Sequence, residues 1–307
     1  MVRGDNMDLR DKILKLKEER EAIILAHYYQ LPEIQEIADY VGDSYYLSKI
    51  AKGCKEQVIV FCGVKFMAES AKVISKEKIV LLPVLEAVCP MADMATKYGL
   101  IKLKKKYPRA KVVSYINSST EVKALSDLCC TSSNAYNIIK SLSEEEIIFL
   151  PDKNLGSYIK ERIPNKKIIL WEGFCKVHED IKKEDVLGLK KCHEKSLIAV
   201  HPECSKDVRS VADFVGSTKD IINFVKGSKE KDFIIVTEEG ILYELEKENK
   251  DKNFYIPKRS MVCNNMKKTT LKELYKSLLN MENKIEIEEP LRIKAYNALE
   301  NMHKLGG

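Results

Sequence analysis

Three cysteines in this chain stand where short apolar runs end. Cys89 follows Ile79-Val-Leu-Leu82 and precedes Pro90, Cys175 closes Ile168-Ile-Leu-Trp-Glu-Gly-Phe-Cys175, and Cys263 closes Tyr255-Ile-Pro-Lys-Arg-Ser-Met-Val-Cys263. They lie 86 and 88 residues apart, which is the mark of a repeat. One thiolate from each copy, meeting at a common centre, supplies three soft ligands. That set suits a 4Fe-4S cluster with one iron lacking a protein ligand, and such an iron acts as a Lewis acid on a carbonyl, hydroxyl or carboxylate. Spacing alone also admits zinc on three thiolates. Taken singly, each of the nine cysteines reads as a small buried hydrophobe, and only equivalent placement lifts these three above that reading. Cys54, Cys62, Cys129, Cys130, Cys192 and Cys204 do not recur in all three copies. Cys129-Cys130 is assigned to a helix end.

Other chemistry-bearing residues follow the same spacing. His27, Tyr115 and His201 end predicted strands 88 and 86 residues apart, so all three are placed at the lining of a shared cavity. Tyr29 and Glu203, two residues beyond the histidines, are candidates for proton transfer, which needs a tunable acid or base at the reacting centre. Ser44, Ser132, Ser217 and Thr218 each precede a helix, where hydroxyls and helix N-terminal amides together hold phosphate or carboxylate. As ordinary N-caps they are explained equally well. His178, His193 and His303 receive no assignment.

The elements that must position these residues alternate. Ala22 to Ala26 is an apolar strand ending at His27-Tyr28-Tyr29-Gln30, and Pro32 with Ile34, Ile37, Ala38 and Val41 predicts a helix closing at Gly42-Asp43-Ser44. The pattern recurs as strand Lys111 to Tyr115 with a helix carrying Val122, Leu125, Ser126 and Cys129. It recurs again as strand Leu197 to Val200 with a helix carrying Val208, Val211, Ala212 and Val215. Asp39, Asp127 and Asp213 align at spacings of 88 and 86 residues. A repeat of this length exceeds solenoid units. The expected fold is therefore α/β, with three repeated Rossmann-like domains, parallel sheets around a pseudo-threefold axis, and cluster and active site at the centre. The domains are drawn as 1–95, 96–181 and 182–275. The capping box Thr270-Leu-Lys-Glu273 opens a helix, and the C-terminal helices of 276–307 pack back on the first domain.

Composition sets the wider frame. Of 307 residues, 45% are hydrophobic, enough for a large core, and 32% are charged in mixed Lys/Glu runs. The net charge of +6 is spread rather than gathered in a stripe, which argues against a nucleic-acid surface. No apolar run is long enough to span a bilayer, and the polar N-terminus predicts neither secretion nor membrane insertion. An odd number of cysteines without a CxxC fits a reducing, cytoplasmic setting.

The motifs Ala26-His-Tyr-Tyr-Gln30, Gly42-Asp-Ser44, Cys89-Pro-Met-Ala92, Tyr115-Ile-Asn-Ser118, Cys130-Thr-Ser-Ser-Asn134, Pro151-Asp-Lys-Asn-Leu155, Val200-His-Pro-Glu-Cys204, Gly216-Ser-Thr218 and Asn265-Met-Lys267, in this order, resemble the quinolinate synthase family. The resemblance implies a transferase that condenses iminoaspartate with dihydroxyacetone phosphate to quinolinate, releasing phosphate and water, in NAD biosynthesis. It implies a 4Fe-4S cluster on Cys89, Cys175 and Cys263. It also implies substrate and acid/base residues at His27, Tyr29, Ser44, Tyr115, Asn117, Ser132, His201, Glu203, Ser217 and Thr218, with Tyr29, Glu203 and His201 catalytic. Iminoaspartate would come from an upstream L-aspartate oxidase or aspartate dehydrogenase. Tyr28, Phe174 and Lys176 depart from residues common in the family. Cys263-Asn-Asn-Met266 lacks the thiol switch some members carry, so no local disulfide is expected there. The competing readings are another iron-sulfur or zinc hydratase or lyase, and a cluster-bearing sensor.

Overall fold

The computed structural model describes residues 2–257 and 261–306. Lys258, Arg259 and Ser260, on the approach to Cys263, lie outside the described residues. Twelve strands form three four-stranded sheets, every pairing parallel. The first sheet holds β1 (Ala22–His27), β2 (Tyr40–Gly42), β3 (Val58–Cys62) and β4 (Ile79–Leu81) in the order β2-β1-β3-β4. The second repeats that order with β5 (Lys111–Tyr115), β6 (Leu128–Cys130), β7 (Glu146–Leu150) and β8 (Lys167–Leu170). The third does so with β9 (Leu197–Val200), β10 (Phe214–Val215), β11 (Asp232–Val236) and β12 (Asn253–Tyr255). β1 and β3 are buried along their whole length, as parallel strands covered on both faces must be. The fold is thus the expected mixed α/β triplication.

The long helix predicted after the first strand of each copy is instead a short helix followed by an edge strand. Helix Pro32–Ile37 ends where Ala38 turns extended, and Val41 belongs to β2. Helices Thr120–Lys123 and Lys206–Arg209 are shorter still, and Cys129-Cys130 and Val215 lie in β6 and β10, not at helix ends. The aligned aspartates cause this. Asp39 accepts from the backbone N–H of Ile24 at 2.8 Å while its own N–H donates to the Ile24 carbonyl at 2.9 Å. Asp127 does the same with Val112 (2.7 and 3.0 Å), and Asp213 with Ile198 (2.8 and 2.9 Å). A bidentate clamp of this kind ties the chain to the neighbouring strand and outcompetes another helical turn.

Lys78, Lys166 and Lys252 are a second repeated device, each donating an ammonium to the carbonyl at a helix end, at Cys54, Leu142 and Ser228 respectively. At the C-terminus, helix Leu271–Asn280 packs against the N-terminal helix, as expected. Thr270 does not cap it through the backbone: its hydroxyl donates to the Glu273 carboxylate. Helix Glu289–Leu305 does not stay on the first repeat. Arg292 donates to the Val73 carbonyl of the first copy and Asn301 to the Asp127 carbonyl of the second, so the helix bridges the two. Its apolar face (Ala295, Ala298, Leu299, Met302) joins one core with both sheets. No helix among the described residues is long and apolar enough to cross a membrane.

Candidate active site

The carboxyl ends of the three sheets converge on one cavity. The first repeat lines it with His27, Tyr29, Ser44 and Cys89, the second with Tyr115, Asn117, Ser132 and Cys175, and the third with His201, Glu203, Thr218 and Cys263. Of the residues singled out in the sequence, only Ser217 is not part of the lining. It caps helix Thr218–Gly227, accepting from the Asp220 amide at 3.2 Å and donating to the Asp220 carboxylate at 2.7 Å. Asp43 holds the same N-cap place before Ser44.

His27 and His201 share one local geometry. Each Nδ1 accepts the backbone N–H two residues on, from Tyr29 at 3.1 Å and from Glu203 at 3.3 Å. Burial pushes the first ring down to about 3, helped by the Lys267 charge, and burial likewise pushes the second down to about 3. A neutral ring whose Nδ1 accepts must carry its proton on Nε2. Both histidines are therefore fixed as neutral Nε2–H donors, suited to carboxylate or phosphate oxygens.

Glu203 accepts from the Tyr115 hydroxyl at 2.7 Å and lies 3.0 Å from His178 Nδ1. Burial opposes its charge, but the His178 hydrogen bond, the adjacent imidazoles and Tyr115 outweigh it and bring the carboxyl down to about 2. Burial and the Glu203 charge push Asp152 well up, so of these two carboxyls Asp152 holds the proton. Tyr29 and Tyr115 are raised by burial and by Glu203, which keeps both phenols protonated. The Tyr29 hydroxyl lies 2.8 Å from both Thr218 and Thr237, and Thr237 lies 3.0 Å from His178 Nε2. An unbroken chain of hydrogen bonds thus joins Tyr29 to Glu203 through Thr237 and His178.

The three thiols fit a soft-metal centre in their donor chemistry. Each lines the same cavity from a different repeat, and all nine cysteines are free. Burial pushes Cys89 up to about 12, Cys175 well up and Cys263 up, with neighbouring thiol or carboxylate charges adding to each. Three crowded thiols become thiolates together only against a compensating cation. Two of the loops are held by buried carboxyls: Asp152 accepts the Cys175 amide at 3.2 Å, and Glu238 accepts the Cys263 amide at 3.0 Å. Lys267 fixes Glu238 at 3.0 Å and donates to the Tyr29 carbonyl at 2.7 Å. Donor atoms of Cys175, His178 and Glu203 also lie within 4.8 Å of one another, a mixed set that hydrogen bonding already accounts for.

His178, Thr237 and Glu238 were missed in the sequence. The positions matching His178 in the other copies are Ala92 and Met266, so the repeat was silent there. The spacing Cys175-Lys-Val-His178 was the available signal. Thr237 and Glu238 lay in a run read only as a strand end.

Together these features define a triplicated α/β protein with a half-buried three-thiol centre beside an acid/base network. Residues 11–304 match the family described as Quinolinate synthetase A protein. The chain is 71% identical over 301 residues to a protein of Clostridium perfringens (strain SM101 / Type A), covering 98% of this chain and 100% of that one. It is 57% identical over 298 residues to one of Clostridioides difficile (strain 630), covering 97% and 98%. With one of Caldicellulosiruptor bescii it shares 56% over 298 residues, covering 97% and 98%. Each of these relatives is named quinolinate synthase. The chain belongs to the quinolinate synthetase A family.

Proposed function

We propose that this chain is a quinolinate synthase, a transferase of NAD biosynthesis that condenses iminoaspartate with dihydroxyacetone phosphate to quinolinate and releases phosphate and water. Family membership supports the reading, and the convergence of Cys89, Cys175 and Cys263 on the cavity that holds Tyr29 and Glu203 carries it. The three cysteines would hold a 4Fe-4S cluster. When bound, its open iron supplies Lewis acidity toward an oxygen or nitrogen of the substrate.

The chain's own residues do the rest. Both substrates are anionic, and the His27 and His201 Nε2–H groups offer them neutral donors. Ser44 and Thr218, each the first residue of its helix, add hydroxyls and helix N-terminal amides for a carboxylate or a phosphate. Ser132, Asn117 and Tyr115 complete the holding set from the second repeat. Glu203, ionised, takes a proton, while Tyr29, protonated, gives one, which is the pairing that isomerisation and dehydration require. Buried walls keep bulk water from the reactive imine. Iminoaspartate would be supplied by an L-aspartate oxidase or aspartate dehydrogenase in the cytoplasm.

The test is anaerobic. Protein with iron and sulfide in equal amounts, mixed with freshly generated iminoaspartate and dihydroxyacetone phosphate, should release quinolinate. A fully loaded preparation that makes none would overturn the reading. Stoichiometric zinc without sulfide would favour a zinc lyase on the Cys175, His178 and Glu203 set instead.

A further inference from the structure

Gln35, Lys123 and Arg209 are among the buried polar side chains that the chemistry above leaves unused, exposed by 3%, 0% and 7%. They are separated by 88 and 86 residues and so occupy one position of the repeat. Lysine and arginine are rarely this buried unless paired. Both hydrogen bonds that Lys123 Nζ makes go to backbone carbonyls rather than to a carboxylate.

What these side chains hold is also repeated. Gln35 Nε2 lies 2.9 Å from the carbonyls of both Tyr28 and Gln30, on either side of Tyr29, and shares its two N–H groups between these and one further carbonyl. Lys123 donates to the Ser118 carbonyl, next to Asn117, at 2.7 Å. Arg209 donates to the carbonyls of Pro202 (3.4 Å) and Cys204 (2.7 Å), on either side of Glu203. Tyr29, Asn117 and Glu203 are themselves 88 and 86 residues apart. Each donor then reaches one further carbonyl in another repeat: Gln35 to Gly240 at 3.0 Å, Lys123 to Phe66 at 3.5 Å, and Arg209 to Asn154 at 3.1 Å. Phe66, Asn154 and Gly240 are once more equivalent, at the same spacings. The first repeat thus holds the third, the second holds the first, and the third holds the second.

We propose that Gln35, Lys123 and Arg209 are positioning residues, forming a closed ring that sets Tyr29, Asn117 and Glu203 at the cavity and locks the three repeats around it. The physical need is plain. Where each chain leaves its sheet, the carbonyls beside the acting residue lose their ladder partners while staying buried, and an unpaired buried carbonyl is costly. One donor that satisfies both that turn and the neighbouring repeat makes the acting side chain's place depend on inter-repeat registry. Amide, ammonium and guanidinium fill the position because only donor capacity matters there. Arg209 uses its surplus on Ser157 at 2.9 Å, and Asn154 returns a bond to the Glu203 carbonyl at 3.0 Å.

The kinetic part of the test rests on the quinolinate synthase reading; the exchange part does not. Hydrogen exchange of Arg209→Met should rise at the amides of Glu203 and Cys204 and stay unchanged at 28–30. Gln35→Met should show the converse. In the anaerobic assay, Arg209→Met should lose about tenfold or more in kcat with iron and sulfide content kept, the size expected when hydrogen bonds to one loop are lost. Combined with Glu203→Gln it should add little further loss, and Arg209→Lys should recover part of it. Lys123→Met should instead raise KM, because Asn117 holds rather than reacts. If Arg209→Met does not fold, Arg209→Lys decides by the same exchange and kcat readings. Unchanged exchange at Glu203 and Cys204, or active wild type beside variants with unchanged kcat and KM, would overturn the ring. Inactive wild type with the local exchange pattern intact would leave the ring standing and remove the functional reading.

Discussion

Thr237→Val tests the link between Tyr29 and Glu203, the two groups proposed to move protons. Thr237 is fully buried, and its Oγ1 lies 2.8 Å from the Tyr29 hydroxyl and 3.0 Å from His178 Nε2. His178 sets Nδ1 against the ionised Glu203 and Nε2 against Thr237. Thr237 is thus the one hydroxyl between Tyr29 and the His178–Glu203 pair, and the Tyr29 oxygen has Thr218 as its other partner. Valine keeps the shape and removes the hydroxyl, so packing hardly changes. Tyr29 loses the hydrogen-bond partner that aims its hydroxyl, a bond worth about 1 to 1.5 kcal/mol, or roughly 5- to 13-fold in kcat. The partnerless His178 nitrogen costs about 1–3 kcal/mol more, felt in stability. Tyr29→Phe, which removes the proton itself, should lose about 10²- to 10⁴-fold. Steady-state kinetics on anaerobic enzyme of equal iron content, with thermal unfolding alongside, measures both. Thr237→Ser should stay near wild type. If Thr237→Val keeps its kcat within about twofold, or Thr237→Ser is just as slow, the hydroxyl chain does not orient Tyr29.

Cys89→Ser should lose the iron-sulfur chromophore while retaining the far-ultraviolet circular dichroism of the fold, and unchanged iron content would remove Cys89 from the ligand set. Acid should destabilise the cluster-free protein through His27 and His201, whose rings fall from 6.5 unfolded to about 3 folded. Below pH 6.5 the unfolded chain binds protons the folded rings refuse, so each ring costs about 1.4 kcal/mol per pH unit down to about 3. His201→Asn should spare about 2 kcal/mol of the loss between pH 6.5 and 5 in urea titrations, and parallel curves for wild type and variant would refute the assignment. Asp39→Ala, Asp127→Ala and Asp213→Ala should each cost about 1.5–3 kcal/mol of stability, the value of a charge-assisted bond to a backbone amide. Asp39 should cost most because it also pairs with Lys17 at 2.6 Å. Losses below about 0.5 kcal/mol would show that the edge strands form without the clamp.

Much of the site was legible because the chain writes it three times. Equivalent spacing separated Cys89, Cys175 and Cys263 from six other cysteines and placed His27, Tyr115 and His201 at strand ends before any family was considered. The edge strands were not legible. In 32–41, two inward residues of a short helix (Ile34, Ile37), its C-cap Ala38 and Val41 of the following strand fall by chance at helical spacing, and only the Asp39 clamp on Ile24 breaks the period. Ser217 was read as a binding hydroxyl because it adjoins Thr218, whereas the repeat matches Ser44 and Ser132 with Thr218 alone. The bridging course of the last helix depends on tertiary contacts of Arg292 and Asn301 that no local pattern carries.

His178 shows where the method of counting copies must fail. A triplicated scaffold supplies three equivalent strand ends, and a strictly threefold site would present the same groups on every side. Two unlike substrates, as proposed for this site, call for groups that differ between the copies. The scaffold positions stay equivalent: the aspartate clamps, the helix-end lysines, and Gln35, Lys123 and Arg209 with their carbonyls. The acting positions diverge, giving Tyr29, Asn117 and Glu203 at one place, and His178, Ala92 and Met266 at another. A search by symmetry therefore finds what holds the site, and the residues that give the site direction are found by looking for broken symmetry. Glu203 is the strongest case. It is the one carboxylate among three equivalents, and the unpaired histidine of the second copy, His178, lies against it at 3.0 Å.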